Sequence, residues 1–170
     1  MSYEISAVKQ SELTEDILRD IIFLKNQYWV HPYESQKRWI EENLDADDIH
    51  LLMKSEGKPI AYLSICRVVI TIDQEKRDML GIGSVCVGRD FAGKGLGRAI
   101  VLAANELIKG KGEDGALLCH DALVGFYGRI GWSLLKYKTA TLAEKPYCDN
   151  VMLLREDEIQ ANSVLINKNF

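Results

Sequence analysis

The sequence predicts a mixed α/β (α+β) fold, with a mostly antiparallel central sheet flanked by helices. Three observations carry that expectation. Segments with a strand's period of two and a helix's period near 3.6 alternate along the chain instead of falling into separate blocks. Apolar strand-like runs follow one another between residues 49 and 87 with short polar turns between them, as in an antiparallel meander. The length of 170 residues suits one domain with a sizeable core. Residues 1–155 read as that domain. Residues 156–170 read as a C-terminal tail, acidic and then polar, forming a short helix or a frayed end.

Tyr3–Lys9 alternates weakly and is expected as a first strand. Thr14 then caps a helix whose apolar face is Ile17, Leu18, Ile21, Ile22 and Tyr28. The run Tyr28-Trp29-Val30-His31-Pro32-Tyr33 breaks it, and Ser35 is expected to cap a second helix carrying Trp39, Ile40 and Leu44. From Ile49 the period becomes strand-like. His50–Met53 and Pro59–Ile72 are two strands joined by a hairpin turn at Lys54–Lys58. Asp73–Asp78 is expected as a second polar turn, leading to a strand over Leu80–Val87. Leu96, Ile100, Val101, Ala104, Leu107 and Ile108 define an amphipathic helix that Gly110 and Gly112 end. Ala116–Cys119 is a short buried strand, Ala122–Arg129 a helix stopped by Gly131, and Trp132–Lys138 and Asn150–Leu154 closing strands.

Composition narrows the function. A net charge of -4 argues against a general nucleic-acid binder. No apolar run approaches the about 20 residues that span a bilayer, and residues 1–10 lack a secretion-signal pattern. No membrane partner is therefore expected. Cys66, Cys86, Cys119 and Cys148 show no paired spacing, and none of the three histidines lies near a cysteine pair. The expectation is a cytoplasmic chain with reduced thiols and no metal site, monomeric or homodimeric.

The most informative stretch is Ser84–Arg98. A strand enters a turn with glycine at 93, 95 and 97, and the turn opens a strong helix. Glycine permits close backbone approach. The first amides of a helix present a partial positive charge, to which Lys94 and Arg98 add. The reading is a cradle for a pyrophosphate. Gly88, Gly93 and Lys94 nearly match the loop of nucleotide triphosphatases, and Leu117–Asp121 imitates the later strand ending in aspartate. Gly95, however, stands where that loop needs a magnesium-binding hydroxyl. The spacing Gly-x-Gly-x-Gly also fails the dinucleotide fingerprint.

These residues resemble the GNAT superfamily of acyl-CoA-dependent N-acyltransferases. Val85-Cys86-Val87 followed by Gly93-Lys94-Gly95-Leu96-Gly97 is similar to that family's central strand and pyrophosphate loop. Phe126-Tyr127-Gly128-Arg129-Ile130-Gly131-Trp132 is similar to its late helix end. The resemblance covers roughly Tyr3–Leu154. Within the superfamily the chain looks closest to the aminoglycoside 2′-N-acetyltransferase branch, through Leu13–Phe23, Ile49-His50-Leu51, Pro59–Arg67 and the tyrosine helix. It departs from the family at Ala92, where Gln or Arg is usual, and at His120, where Asn is frequent. It departs again at Gly81 and Gly83, where some members carry an acidic base.

The resemblance implies the GNAT fold with a splayed strand pair and acetyl-CoA as acetyl donor. It implies that Val85, Cys86, Val87, Ala92, Gly93, Lys94, Gly95, Leu96, Gly97, Arg98, His120 and Phe126 contact coenzyme A, and that Tyr127 protonates the leaving thiolate. The acceptor it implies is a primary amine of a small molecule, an amino sugar or aminoglycoside, with Trp29, His31 and Tyr33 at its site. His31, Glu34, Asp73 and Glu75 are the polar groups on segments expected to face that acceptor. The alternatives are acetylation of a protein or peptide amine, and an acyl-CoA-binding module without turnover.

Overall fold

The structure is a computed structural model and describes residues 2–155 and 157–170. Its elements are β1 (Glu4–Lys9), α1 (Glu15–Lys25), α2 (Tyr33–Asn43), β2 (Ile49–Ser55), β3 (Lys58–Ile72), β4 (Glu75–Val87), α3 (Leu96–Gly110), β5 (Gly115–Cys119), α4 (Asp121–Gly128), β6 (Trp132–Leu142), β7 (Lys145–Pro146), β8 (Asn150–Leu154) and β9 (Ile159–Ile166). Sheet pairing is mixed and mostly antiparallel, as the sequence predicts. β1–β2, β2–β3, β3–β9, β5–β8, β6–β7 and β6–β8 are antiparallel, and β4–β5 and β6–β9 are parallel.

Local chemistry fixes the element ends. Thr14 Oγ1 accepts from the Ile17 amide at 3.4 Å, which satisfies one of the first helical N–H groups of α1. The hairpins turn on residue pairs with positive φ: Glu56-Gly57, Asp73-Gln74 and Ala143-Glu144. That is the twist-compatible conformation of two-residue turns.

Several expectations are corrected. Asp73–Asp78 is not a polar turn. Two residues suffice to reverse the chain, and β4 starts at Glu75 with its polar residues exposed or half-exposed. Ser35 does not cap α2, because Pro32 supplies the extended residue and the helix begins at Tyr33. The segment after Arg155 is neither helix nor frayed end over residues 159–166, which form β9. β6 also runs on to Leu142 and turns into β7.

The chain divides into two compact units. The first holds the residues up to Cys66 together with Gly83–Ala104. In it β1, β2 and the first half of β3 are antiparallel neighbours, and Ile21, Leu24, Ile40, Leu52, Met53, Ile60 and Leu63 are buried. Every residue of β3 from Ile60 to Cys66 is buried, so the strand is covered on both faces there. The second unit holds Arg67–Ile82 and Asn105–Phe170. In it β3 alternates between buried Val68, Ile70 and Ile72 and the more accessible Arg67, Val69 and Thr71. Trp132 is fully buried, donating from Nε1 to Asn105 Oδ1 at 3.0 Å, while Asn105 Nδ2 donates to the Ile130 carbonyl at 2.8 Å. Gly115 lets this indole in, since a Cβ there would lie 3.2 Å from it.

Candidate active site

In the first unit β4 ends at Val87, and a single 3-10 turn, Arg89–Phe91, leads into the glycine loop and α3. Gly93 and Gly95 have φ of +76° and +77°, which side chains rarely adopt. A Cβ on either would meet nothing within 4 Å. The glycines are therefore demanded by backbone conformation, and the space above them is open. Ala92, Gly93, Lys94 and Gly95 are exposed, while Leu96 anchors the helix in the core. Lys94 Nζ lies 5.0 Å from the Phe91 ring, and Arg98 is exposed on the first turn of α3, one residue past Gly97.

The end of α1 braces this segment. Gln27 Oε1 accepts from the Arg89 amide at 2.8 Å, and its carbonyl accepts from the Arg89 guanidinium at 2.6 Å. Tyr28 donates its hydroxyl to the Val87 carbonyl at 2.6 Å. Val85 and Val87 are half-buried. The Cys86 thiol is buried, and that burial pushes its pKa up to about 12, so it is no nucleophile at neutral pH.

Beside β4 lies a buried polar group that sequence reasoning missed. Ser84 has φ of 52° in the middle of the strand, a costly conformation for a residue with a side chain. Its Oγ takes a hydrogen bond from Lys25 Nζ at 3.0 Å. Lys25 is 4% exposed, and its ammonium lies 4.3 Å from the centre of the Trp39 ring and 5.9 Å from that of Trp29. Burial lowers its pKa to about 8, with the Cys86 thiol opposing the shift. One signal pointed to it: Lys25 falls at i, i+3, i+4, i+7 with Leu18, Ile21 and Ile22, on the apolar stripe of α1. Behind it, His50 bonds Tyr62 through Nδ1 at 2.9 Å and Gln10 through Nε2 at 2.6 Å, and burial lowers its pKa to about 4.

The aromatic residues between α1 and α2 separate in the structure. Trp29 joins the Lys25 group, and Gln36 Nε2 donates to the Trp29 carbonyl at 2.6 Å. Tyr33 instead donates to Glu15 at 2.6 Å, and the exposed His31 is held by its backbone amide on Asn26 Oδ1 at 2.9 Å.

In the second unit Tyr127 is buried on α4, edge-on to Phe126 at 4.9 Å and to Trp132 at 6.4 Å. Burial first, and the Cys119 thiol second, push its pKa up to about 12. His120 is exposed, and its Nδ1 pairs with Asp149 instead of capping α4. Asp73 is occupied structurally, because Oδ1 accepts from the amides of Asn162 and Ser163 at 2.8 and 2.9 Å. Glu75 lies 3.2 Å from Arg77. The β4–β5 ladder runs from Leu80↔Gly115 to Ile82↔Leu117. The Phe170 ring covers Gly81, 2.5 Å from where a Cβ would stand. Among the described residues no His/Cys/Asp/Glu group could hold a metal ion, and no helix is long and apolar enough to cross a membrane.

Residues 15–132, more than half of the chain, match the model of the acetyltransferase (GNAT) family. No curated protein matches the sequence. Among solved structures, Escherichia coli ElaA is similar at 19% identity with a TM-score of 0.68, over 91% of this chain and 100% of that one. YhbS of Escherichia coli, a GNAT family N-acetyltransferase in complex with CoA, is 17% identical with a TM-score of 0.66, over 96% and 88%. The PaiA N-acetyltransferase of Thermoplasma acidophilum, in complex with coenzyme A, is 17% identical with a TM-score of 0.59, over 91% and 99%.

Proposed function

The chain belongs to the acetyltransferase (GNAT) family, and from that premise we propose that it transfers the acetyl group of acetyl-CoA to a primary amine of a small molecule. The observation that carries this reading is the loop from Ala92 to Arg98: two left-handed glycines under open space, a helix start behind them and two cations beside them. Those are the features a diphosphate needs. In this reading the amides of Gly93–Arg98 hold the diphosphate, and the backbone of Val85 and Val87 with Cys86 lines the pantetheine arm. His120 and Phe126 are assigned to the cofactor by resemblance. Acetyl-CoA, when bound, supplies an activated thioester. The chain supplies orientation and electrostatics. Tyr127 is the proton donor to the departing thiolate. Burial pushes its pKa up to about 12, which keeps the hydroxyl protonated in the neutral range and makes it a weaker acid than a free phenol, suited to late transfer.

The acceptor of this reading is an amino sugar or an aminoglycoside. Its support is the likeness of Leu13–Phe23 and the tyrosine helix to the 2′-N-acetyltransferase branch. Exposed rings add to it, since Tyr28 is 47% and Trp29 43% exposed and such faces suit stacking on sugars. The test is a panel of aminoglycosides, amino sugars, polyamines and peptides with acetyl-CoA, read by release of free thiol. Turnover on amino sugars or aminoglycosides is expected. Turnover on peptides alone would move the acceptor to protein amines. Thermal stabilisation by acetyl-CoA without turnover on any amine would leave a binding module.

A further inference from the structure

Lys25 is a buried amine without an acidic partner. None of the ion pairs among the described residues includes it, and its surroundings are Ser84 Oγ, two indole rings and the Cys86 thiol. His50, its pKa lowered in part by the Lys25 charge, is a further neighbour. A charge in such a place is costly, and a desolvated lysine is the usual form of a nucleophilic one. Its position gives that reactivity an address. The nitrogen is tied to Ser84, and the next residue is Val85, where the proposed function lays the pantetheine arm.

We propose that Lys25 is a self-acetylation site, its Nζ taking the acetyl group of acetyl-CoA bound along β4. The inference rests on the acetyl-CoA reading given above. In the step, the neutral Nζ attacks the thioester carbonyl carbon. The N–C bond forms, the C–S bond breaks, and coenzyme A leaves as a thiolate that takes up the proton released by the nitrogen. The products are acetyl-lysine and free thiol. The amide suits the site better than the ammonium does. It is neutral, so the burial cost disappears, and it keeps an N–H for Ser84 Oγ. The modification removes the cation that lies against the Trp39 and Trp29 rings, and so changes the charge beside the proposed acceptor site.

The burial also makes the reaction selective. At 4% exposure Lys25 is shielded from acylating reagents in bulk solvent, whereas Lys9 and Lys136 have half-exposed side chains. A donor laid along β4 passes Ser84, whose Oγ holds Lys25 Nζ at 3.0 Å. The titratable groups that interact with it do not titrate near neutrality: Cys86 is pushed up to about 12 and His50 down to about 4. Lys25 alone sets the pH dependence.

The experiment incubates the full chain with acetyl-CoA between pH 6 and 9. It reads the intact mass, locates the acetyl group by peptide mass spectrometry, and measures acetyl-CoA binding by calorimetry in parallel. One acetyl group at Lys25 is expected, blocked by excess coenzyme A and absent in Lys25→Arg. Its rate should rise about tenfold per pH unit up to about pH 8 and level off above it. The N-hydroxysuccinimide ester of acetic acid should mark the exposed lysines and spare Lys25. Tight acetyl-CoA binding with Lys25 unmodified, or acetyl groups scattered over exposed lysines, would overturn the inference and leave the transferase reading standing. Absence of acetyl-CoA binding would remove the reading itself and this inference with it.

Discussion

Burial acts on Lys25 and Tyr127 in one sense, favouring the neutral form of each, and the consequences for stability and catalysis differ. Unfolded, Lys25 holds its proton up to the ordinary 10.5; folded, only to about 8. Between those values the unfolded chain binds more protons, so stability rises with pH through that window, and at neutrality the full cost of the buried cation is present. Lys25→Met removes that cost. The variant should be about 2–3 kcal/mol more stable than the parent at pH 7. The difference should shrink toward pH 10.5, as read by denaturant titration at several pH values. An equal or lower stability at pH 7 would mean that the Ser84 bond and the two indoles repay the burial in full. For Tyr127 the readout is kinetic. Tyr127→Phe keeps the ring contacts with Phe126 and Trp132 and loses only the hydroxyl. Turnover should fall about 100-fold, in the range of general acid catalysis, with acetyl-CoA affinity unchanged. Unchanged turnover would remove Tyr127 from the proton-donor role.

Sequence legibility tracked how local the determinants of each element are. Thr14, the α3 stripe and the glycine loop depend on neighbours within a few residues, and each was readable. The Asp73-Gln74 turn was overextended, because a polar strand start looks like a loop when its partner strand is unknown. Ser35 was a plausible cap by composition, yet Pro32 already supplied the extended residue one position ahead of the helix. Lys25 escaped because a lysine on an apolar stripe reads as an irregularity until its nitrogen is located on another element. The loop itself supports a test at this scale. Gly95→Glu places a side chain at φ of +77°, at a cost of about 1–2 kcal/mol, and points a carboxylate toward the proposed diphosphate. Coenzyme A affinity should fall at least about tenfold by calorimetry, with the melting temperature lowered by about 2–8 °C from the backbone cost alone, because the space there is open. Gly112→Glu is the control: its φ of +67° imposes the same kind of backbone cost outside the loop, and affinity should hold. Equal losses in both variants would place the diphosphate elsewhere.

At the scale of the whole molecule the decisive element is the last strand, whose partners are remote in sequence. Its own alternation, Ile-Gln-Ala-Asn-Ser-Val-Leu-Ile, is weak. What makes it a strand is pairing with β3 at Ile70↔Ile166 through Ile72↔Val164 and with β6 from Leu135↔Ile159 to Leu142↔Ile166. No local signal announces such partners. β9 buries Ala161, Val164 and Ile166, and Asp73 clamps its amides at Asn162 and Ser163. Beyond it, Asn167 exchanges hydrogen bonds with Val69 at 2.9 and 3.1 Å, and Phe170 covers Gly81. Ending the chain at Arg155 therefore uncovers apolar surface on β3 and β6 and leaves strand edges unpaired. At about 1.5–3 kcal/mol for each large buried aliphatic side chain, Val164 and Ile166 alone account for about 3–6 kcal/mol. That is comparable with the whole stability of a small domain, about 5–15 kcal/mol. The truncated chain should lose its cooperative melting transition or melt more than about 10 °C lower. Amide exchange should quicken first in Val68–Ile72 of β3 and along β6, the segments that β9 now pairs. A transition unmoved by the truncation would show that β9 contributes little to the folded state, and that the sheet of the second unit closes on β6 and β8 without it.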